Sequence, residues 1–246
     1  MIRVENADFR YRDDWVFRGV SFDVARGQTG AILGPNGRGK TTLLKSIVGL
    51  LSLTHGRATV DGRIGYVAQK NDIAFAYRVL DIVVMGRASH IGLFQTPGTR
   101  DYQIARRTLD RLGIGDFAER LYSHLSGGER QLVMIARALA SECDVLILDE
   151  PTSALDFSNQ SLILETLDRI TVEDGLTVLM TTHVPQHAQR LADAVLLMHG
   201  PECHDRGPAP EMLTEQRLEA LYGVPVKALE IEHQGKKESA LVPLFL

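Results

Sequence analysis

Three short stretches combine residue types and spacings that can do chemistry. The first is GPNGRGKTT, Gly34 to Thr42, between the apolar run Ala31-Ile32-Leu33 and the helical pattern LLKSIVGLL. Glycines allow a close backbone approach or a positive φ, both of which a side chain resists. Gly34 to Thr41 fits G-x-x-x-x-G-K-[ST] in the strand-to-helix setting of a phosphate-binding loop. In such a loop, backbone N–H groups and the positive end of the next helix surround a β-phosphate. Lys40 then reaches the β and γ oxygens, and the Thr41 hydroxyl can ligate Mg²⁺. The second stretch is Asp149-Glu150, closing the apolar run VLILD. An acid at the carboxyl end of a central strand points into the ligand crevice of an open α/β sheet. There Asp149 can hold Mg²⁺ through water and Glu150 is a candidate base for an attacking water. The third is LSGGERQ, Leu125 to Gln131, in which Ser126, Gly127 and Gly128 open an amphipathic helix. That helix start is either a plain capped entry or a second anion site.

These residues need elements to hold them, and the composition permits a sizeable core. The chain has 246 residues, 44% hydrophobic and 24% charged, which suits one large domain or two small ones. A net charge of −4 lacks the basic excess that nucleic-acid binding requires. The cysteines, Cys143 and Cys203, have no metal-binding spacing and read as free thiols of a reducing compartment. No apolar run is long enough to span a bilayer and the first residues do not pattern as a signal peptide, so any membrane role needs another chain as anchor.

Strand patterns occupy IRVENADF, VFRGVSFDV and TGAIL, followed by a helix from Lys40 and short strands at Ala58–Val60 and Ile64–Ala68 around an Asp61-Gly62 turn. Helices are expected at Tyr102–Leu112 and at Gly128–Ala140, the latter with Leu132, Ile135, Ala136 and Leu139 on one face. Beyond them, the continuous apolar runs VLILD, LTVLMTT and AVLLM alternate with helices at Asn159–Ile170 and Pro185–Leu191, the pattern of buried parallel strands in an α/β fold. The tail from Gly200 reads as a loop rich in Pro, Gly and charge, then a helix Thr214–Tyr222 and two strands, Val226–Ile231 and Ala240–Phe245.

Together the phosphate loop, Gln69 in IGYVAQ, LSGGERQ, VLILDEPT, the SALD loop Ser153 to Asp156 and His183 in TTH resemble, in order, the ATP-binding cassette (ABC) family. The resemblance implies a P-loop NTPase of the ABC type: a mixed antiparallel β subdomain, a RecA-like parallel-sheet core and a helical subdomain. It implies one nucleotide-binding domain over 1–246, with the helical signature subdomain at about 78–140 and a C-terminal extension at about 200–246. It also implies an ATPase using ATP and Mg²⁺. The residues it places around ATP are Tyr11, stacked on adenine, Gly34, Pro35, Asn36, Gly37, Arg38, Gly39, Lys40, Thr41 and Thr42, with Ser126, Gly127, Gly128, Glu129 and Asp156. Thr41, Gln69 and Asp149 fall to the metal, and Glu150, Gln69 and His183 to hydrolysis, His183 as the γ-phosphate histidine.

In this family two cassettes pack head to tail, and the signature serine of one closes on ATP held by the other, which accounts for a second anion site. Arg38 stands where the family usually carries a small residue, and either adds a cationic contact across that dimer or projects into solvent. The short interval from Lys40 to Ser126, without sustained heptads, is unlike repair and chromosome members. VLDIVVMGRASHIGLF and LTEQRLEALYGVPV resemble the ATPases of importers for siderophore iron, haem and cobalamin. FAYRVLDIVVMGRASHI, ARALASEC and DEPTSALDFSNQ are similar to the molybdate and tungstate importer ATPases among them. That implies a homodimer on a permease dimer at the cytoplasmic face of the inner membrane, served indirectly by a substrate-binding protein, with no nucleic acid involved. The non-transport alternative is a cytosolic factor such as one for iron–sulfur assembly. The segment Asn71–Pro97 is expected to dock the permease through Phe75, Tyr77, Ile91 and Phe94, with Val79–Val84 as core.

Overall fold

The computed structural model describes residues 1–69, 76–92, 94–233 and 235–245. Its strands are β1 (Ile2–Tyr11), β2 (Asp14–Val24), β3 (Thr29–Leu33), β4 (His55–Val60), β5 (Ile64–Val67), β6 (Val145–Leu148), β7 (Thr177–Thr182), β8 (Ala194–Gly200), β9 (Cys203–Pro208), β10 (Val226–His233) and β11 (Lys236–Pro243). Its α-helices are α1 (Lys40–Ile47), α2 (Val79–Met85), α3 (Thr99–Arg111), α4 (Gly127–Ala140), α5 (Phe157–Asp174), α6 (Pro185–Leu191), α7 (Ala209–Met212) and α8 (Glu215–Tyr222). The chain divides into two compact units, Met1–Val60 with Leu179–Leu246, and Asp61–Val178.

In the first unit β2, β1 and β4 form an antiparallel sheet in that order. Alternation along β1, stepped once by a register shift between Val4 and Ala7, turns Ile2, Val4, Ala7 and Phe9 inward, as a sheet with one wet face requires. Strand β3 is buried at every position and pairs parallel with β8, whose other edge takes β9 antiparallel. With both faces of β3 covered, the residues at its carboxyl end start α1 from a fixed base. The C-terminal part adds α8 and the hairpin β10–β11. In the second unit β5 pairs parallel with the fully buried β6, and α4 packs on α2 and α3. Val79, Ile82, Val83 and Val84 of α2 are buried, as the expectation of a core helix requires. The Arg87 side chain, 4% exposed, donates to Asp101 Oδ1 (3.3 Å), Glu142 Oε2 (2.7 Å) and the Ala140 carbonyl (2.8 Å). A charge taken out of water is tolerated only with such partners.

Two expectations need correction. The segment after Gly200 is not all loop, because Cys203–Pro208 pairs along β8, and an available strand edge overrides Pro- and Gly-rich local composition. Helix α5 is also longer at both ends than the predicted Asn159–Ile170. Asp156 caps its start and Gly175, at φ 62°, caps its end, so the β-branched Thr171 and Val172 stay helical. No helix among the described residues is long and apolar enough to cross a membrane.

Candidate active site

In the first unit the phosphate loop leaves the buried end of β3. Gly37 and Gly39 take φ of 80° and 87°, the left-handed region where a Cβ is penalised. Gly34 is required for space, since a Cβ there would lie 2.7 Å from the Met198 carbonyl oxygen. A Cβ on Gly39 would meet Val16 at 2.6 Å, so Val16 walls the loop, a contact that no sequence spacing reports. The Lys40 side chain is buried and folds back over the loop, donating to the carbonyls of Gly34 (2.8 Å) and Pro35 (3.1 Å). Helix α1 has a glycine, Gly39, as its N-cap, which offers no side-chain cap, and it has no acid in its first turn. Such a start, with a lysine in its first turn, suits a polyphosphate. Asn36 and Arg38 are exposed. Tyr11, 53% exposed, is braced edge-on by Phe9 at 4.9 Å, which leaves a ring face open for stacking. The His183 side chain is exposed, and its carbonyl accepts from Tyr222 Oη at 3.1 Å. Burial pushes the neighbouring His187 imidazole down, the charge of His183 adding to it.

In the second unit Gln69 Nε2 donates to Glu150 Oε2 at 3.1 Å, bringing together two residues that lie 81 positions apart. Glu150 sits at φ 48°, an uncommon conformation for a side-chain-bearing residue, held by the buried end of β6. Asp149 is 2% exposed and its amide donates to the Val67 carbonyl at 2.9 Å. Burial, and then the charge of Asp149, pushes the Tyr66 phenol up. The donors that the resemblance gives to Mg²⁺ are a hydroxyl, a carboxylate and an amide oxygen, the hard set this cation prefers. The Gln69 contact with Glu150 uses its nitrogen and so leaves that amide oxygen to a cation.

Ser126 is the N-cap of α4. Its Oγ accepts from the Glu129 amide (3.3 Å), and Glu129 Oε2 accepts from the Ser126 amide (2.7 Å). That is a reciprocal capping box, extended by Arg120 at 3.0 Å from Glu129 Oε1. The serine hydroxyl can still donate, as can the amides of Gly127 and Gly128. Gly128 is dictated by its own chain, because a Cβ there would lie 2.2 Å from Asn159 Oδ1. Asn159 is fixed in turn by Asp156, whose Oδ1 accepts from its amide (2.8 Å) and Oδ2 from its side chain (3.0 Å). Asp156 thus joins the SALD loop to the signature through Asn159. No motif singles out Asn159, although D-x-x-N is a capping spacing that points to it.

The same unit carries a groove of about 380 Å³ whose lining includes Tyr66, Met85, Ser89, Met134 and Arg137. Of the expected docking residues, Phe94 is 97% exposed and Tyr77 38%, yet neither lines this groove, nor does Ile91. Phe75 lies outside the described residues.

The sequence pattern of the ABC transporter family matches residues 17–153. The chain belongs to that family, as an ATP-binding subunit that hydrolyses ATP to ADP and phosphate to drive transport. It is 40% identical over 245 residues to the molybdate import ATP-binding protein MolC of Haemophilus influenzae, covering 99% of this chain and 96% of that one. A Helicobacter pylori protein bearing the name "Probable iron chelatin transport ATP-binding protein" is 33% identical over 243 residues, 93% of this chain and 95% of that one. Among solved structures, an inward-facing ABC transporter assigned to the metal-chelate type matches with a TM-score of 0.95 at 40% identity, covering 99% of this chain and 97% of that one.

Proposed function

We propose that this chain powers an importer for a metal oxyanion, such as molybdate or tungstate, or for a metal chelate such as siderophore iron, haem or cobalamin. The observation that carries the reading is likeness along the whole chain, C-terminal extension included, to a molybdate import subunit and to a transporter assigned to the metal-chelate type. In this reading the chain is a single nucleotide-binding domain over 1–246, with a helical signature subdomain at about 78–140. It works as a head-to-tail homodimer at the cytoplasmic face of the inner membrane, bound to a permease dimer that a substrate-binding protein supplies.

Each residue has a role its own surroundings support. Tyr11 stacks on the adenine. The amides of the Gly34–Thr42 loop and Lys40 bind the phosphates, in keeping with a start of α1 that has glycine as its N-cap and no acid in its first turn. Thr41, Asp149 and Gln69 supply oxygen donors to Mg²⁺, which when bound neutralises phosphate charge. Glu150 takes the proton of the attacking water and Gln69 orients the carboxylate that does so, as their hydrogen bond supports. His183 contacts the γ-phosphate. Ser126, with the Gly127 and Gly128 amides, donates to the γ-phosphate held by the partner chain, while Glu129 and Asp156 hold the signature in shape. The permease docks on the segment Asn71–Pro97, as the exposure of Tyr77 and Phe94 and the groove lined by Met85 and Ser89 of the same segment support.

The test is uptake into sealed vesicles by the complex with its cognate permease. Labelled molybdate, tungstate, ferric chelates, haem and cobalamin, with sugars and amino acids beside them, are each offered to the wild type and to Glu150→Gln. One of the metal cargoes should accumulate with ATP, and Glu150→Gln should bind ATP while losing about 10² to 10⁴ in hydrolysis rate along with uptake. Uptake confined to sugars or amino acids would overturn the cargo class. A Glu150→Gln enzyme keeping more than about a third of the rate would remove Glu150 as base.

A further inference from the structure

The segment that follows β7 leads away from His183 along α6, and the C-terminal residues hold it at three points. Tyr222 Oη donates to the His183 carbonyl at 3.1 Å, Gln186 Nε2 donates to the Leu241 carbonyl at 2.5 Å, and Gln189 Nε2 donates to the Ser239 carbonyl at 2.7 Å. Each bond joins residues 39 to 55 positions apart, so none is a by-product of local turn geometry.

The holding elements are themselves fixed. Tyr222 ends α8, whose Leu218 and Leu221 are buried and whose C-cap, Gly223, takes φ 70°. The start of α8 is tied to β10, because Glu215 Oε1 accepts from the Ala228 amide (2.8 Å) and Oε2 pairs with Lys227 (2.9 Å). On the other side of His183, the Val184 amide donates to the Thr182 hydroxyl at 3.0 Å, and Thr182 is buried at the end of β7. His183 is therefore bracketed by Thr182 at its following amide and by Tyr222 at its own carbonyl.

Helix α6 itself packs through the buried His187 and Ala188, while the stretch before it borders open space. A cavity of about 320 Å³ lies beside His183, with Pro185, Tyr222, Val226, Leu241 and Pro243 among its walls. Where a side chain faces a void, the dispersion contacts that would fix a loop are missing on that side. Hydrogen bonds at the rim of the cavity therefore help set the backbone on that side.

We propose that Tyr222 is a positioning residue for His183: by holding the His183 carbonyl, the C-terminal helix and hairpin fix the direction in which the imidazole leaves the backbone. The proposal rests on the assignment of His183 to the γ-phosphate. It gives the C-terminal extension a part in hydrolysis and makes Tyr222 act through His183, without touching nucleotide.

The test is steady-state ATPase kinetics of the full chain for wild type, Tyr222→Phe, His183→Ala and the double variant. Tyr222→Phe keeps the ring and loses one hydrogen bond, so kcat should fall about three- to tenfold, the span one such bond covers. KM for ATP should move less than about twofold, because the phosphate loop is untouched, a split that general loss of structure would not produce. In the His183→Ala background the same change should have no further effect, since residues acting through one another are not additive. Gln186→Met, which removes the bond to Leu241, should lower kcat about two- to fivefold. Wild-type kcat in both Tyr222→Phe and Gln186→Met, beside a slow His183→Ala, would overturn the positioning role alone. An equal further loss in the double variant would do the same. A His183→Ala enzyme with wild-type kcat would overturn the assignment of His183, and the positioning role with it.

Discussion

Helix α1 begins at Lys40 with a glycine, Gly39, as its N-cap and no acid in its first turn, whereas α4 begins with Ser126 and Glu129 each bonded to the other's backbone. Both follow glycine-bearing loops; the first reads in the sequence as an anion site, the second as either a plain capped entry or a second anion site. Their glycines differ in kind. Gly37 takes φ 80° with nothing within 4 Å of where a Cβ would stand, so it serves backbone conformation beside an open face. Gly128 has ordinary φ and is small because Asn159 stands where its Cβ would go. The contrast teaches that a helix start proposed to take polyphosphate carries no acid of its own in its first turn, which suits an added anion. One that carries a carboxylate of its own is complete without ligand and offers only what the cap leaves over, a hydroxyl and two amides.

The most severe way to break the comparison is to finish α1 as α4 is finished. Thr42 and Glu129 occupy the same third position of their helices, so Thr42→Glu places a carboxylate among the amides meant for phosphate. Like charges a few ångströms apart in a partly screened site repel by about 4 kcal/mol. ATP affinity, read by equilibrium titration, should fall by at least about 30-fold. The apo protein should not be destabilised and should gain about 1 to 3 °C in Tm, because an acid suits a helix N-terminus. Unchanged affinity would mean that the start of α1 does not receive phosphate.

A smaller effect separates the two glycines of the signature. Gly128→Ala forces its methyl against Asn159, which Asp156 holds in two places, and overpacking of this kind costs about 1 to 3 kcal/mol. Thermal melting should show a loss of about 3 to 10 °C. Gly127→Ala meets only Leu155 at 3.4 Å, an ordinary contact, and should shift Tm by less than about 2 °C. Equal shifts for the two variants would mean that packing against α5 is not what selects glycine at 128.

The difference between the two starts also marks what the sequence can and cannot disclose. GPNGRGKTT and VLILD were legible because each encodes its geometry locally, through glycine positions in one and unbroken apolar burial in the other. Ser126-x-x-Glu129 was just as legible as a capping box, but the motif is the same whether the cap serves the helix alone or a ligand as well. Strand β9 was hidden because its structure comes from the edge of β8 rather than from its own residues. Val16 on Gly39 and Tyr222 on His183 were hidden for a related reason: each is a contact between distant segments, and a single chain's pattern of residue types does not record which segments meet.

The mildest test sharpens the comparison from the side of α4, through pH. Hydrogen bonding from the Ser126 backbone, supported by Arg120, holds the Glu129 carboxyl below its usual range in the folded chain, and the partial burial that opposes this is weaker. A carboxylate whose folded pKa is depressed contributes stability that is fully present above its unfolded pKa. That contribution is lost as pH falls through the folded value. Glu129→Gln keeps an acceptor for the Ser126 amide but removes the charge from the helix start, so at pH 7 it should cost about 0.5 to 1 kcal/mol, or about 1 to 4 °C in Tm. The gap between variant and wild type should be full above the ordinary Glu pKa and close as pH falls below it, through the lowered folded value, where the wild-type carboxyl protonates and becomes the variant's near equivalent. The same substitution should leave ATP affinity within about twofold if, as proposed, Glu129 serves ATP by shaping the signature through its cap bonds. A Tm gap that persists unchanged into acid would mean that the carboxylate of Glu129 is not what completes the start of α4, and the contrast with α1 would then rest on the serine alone.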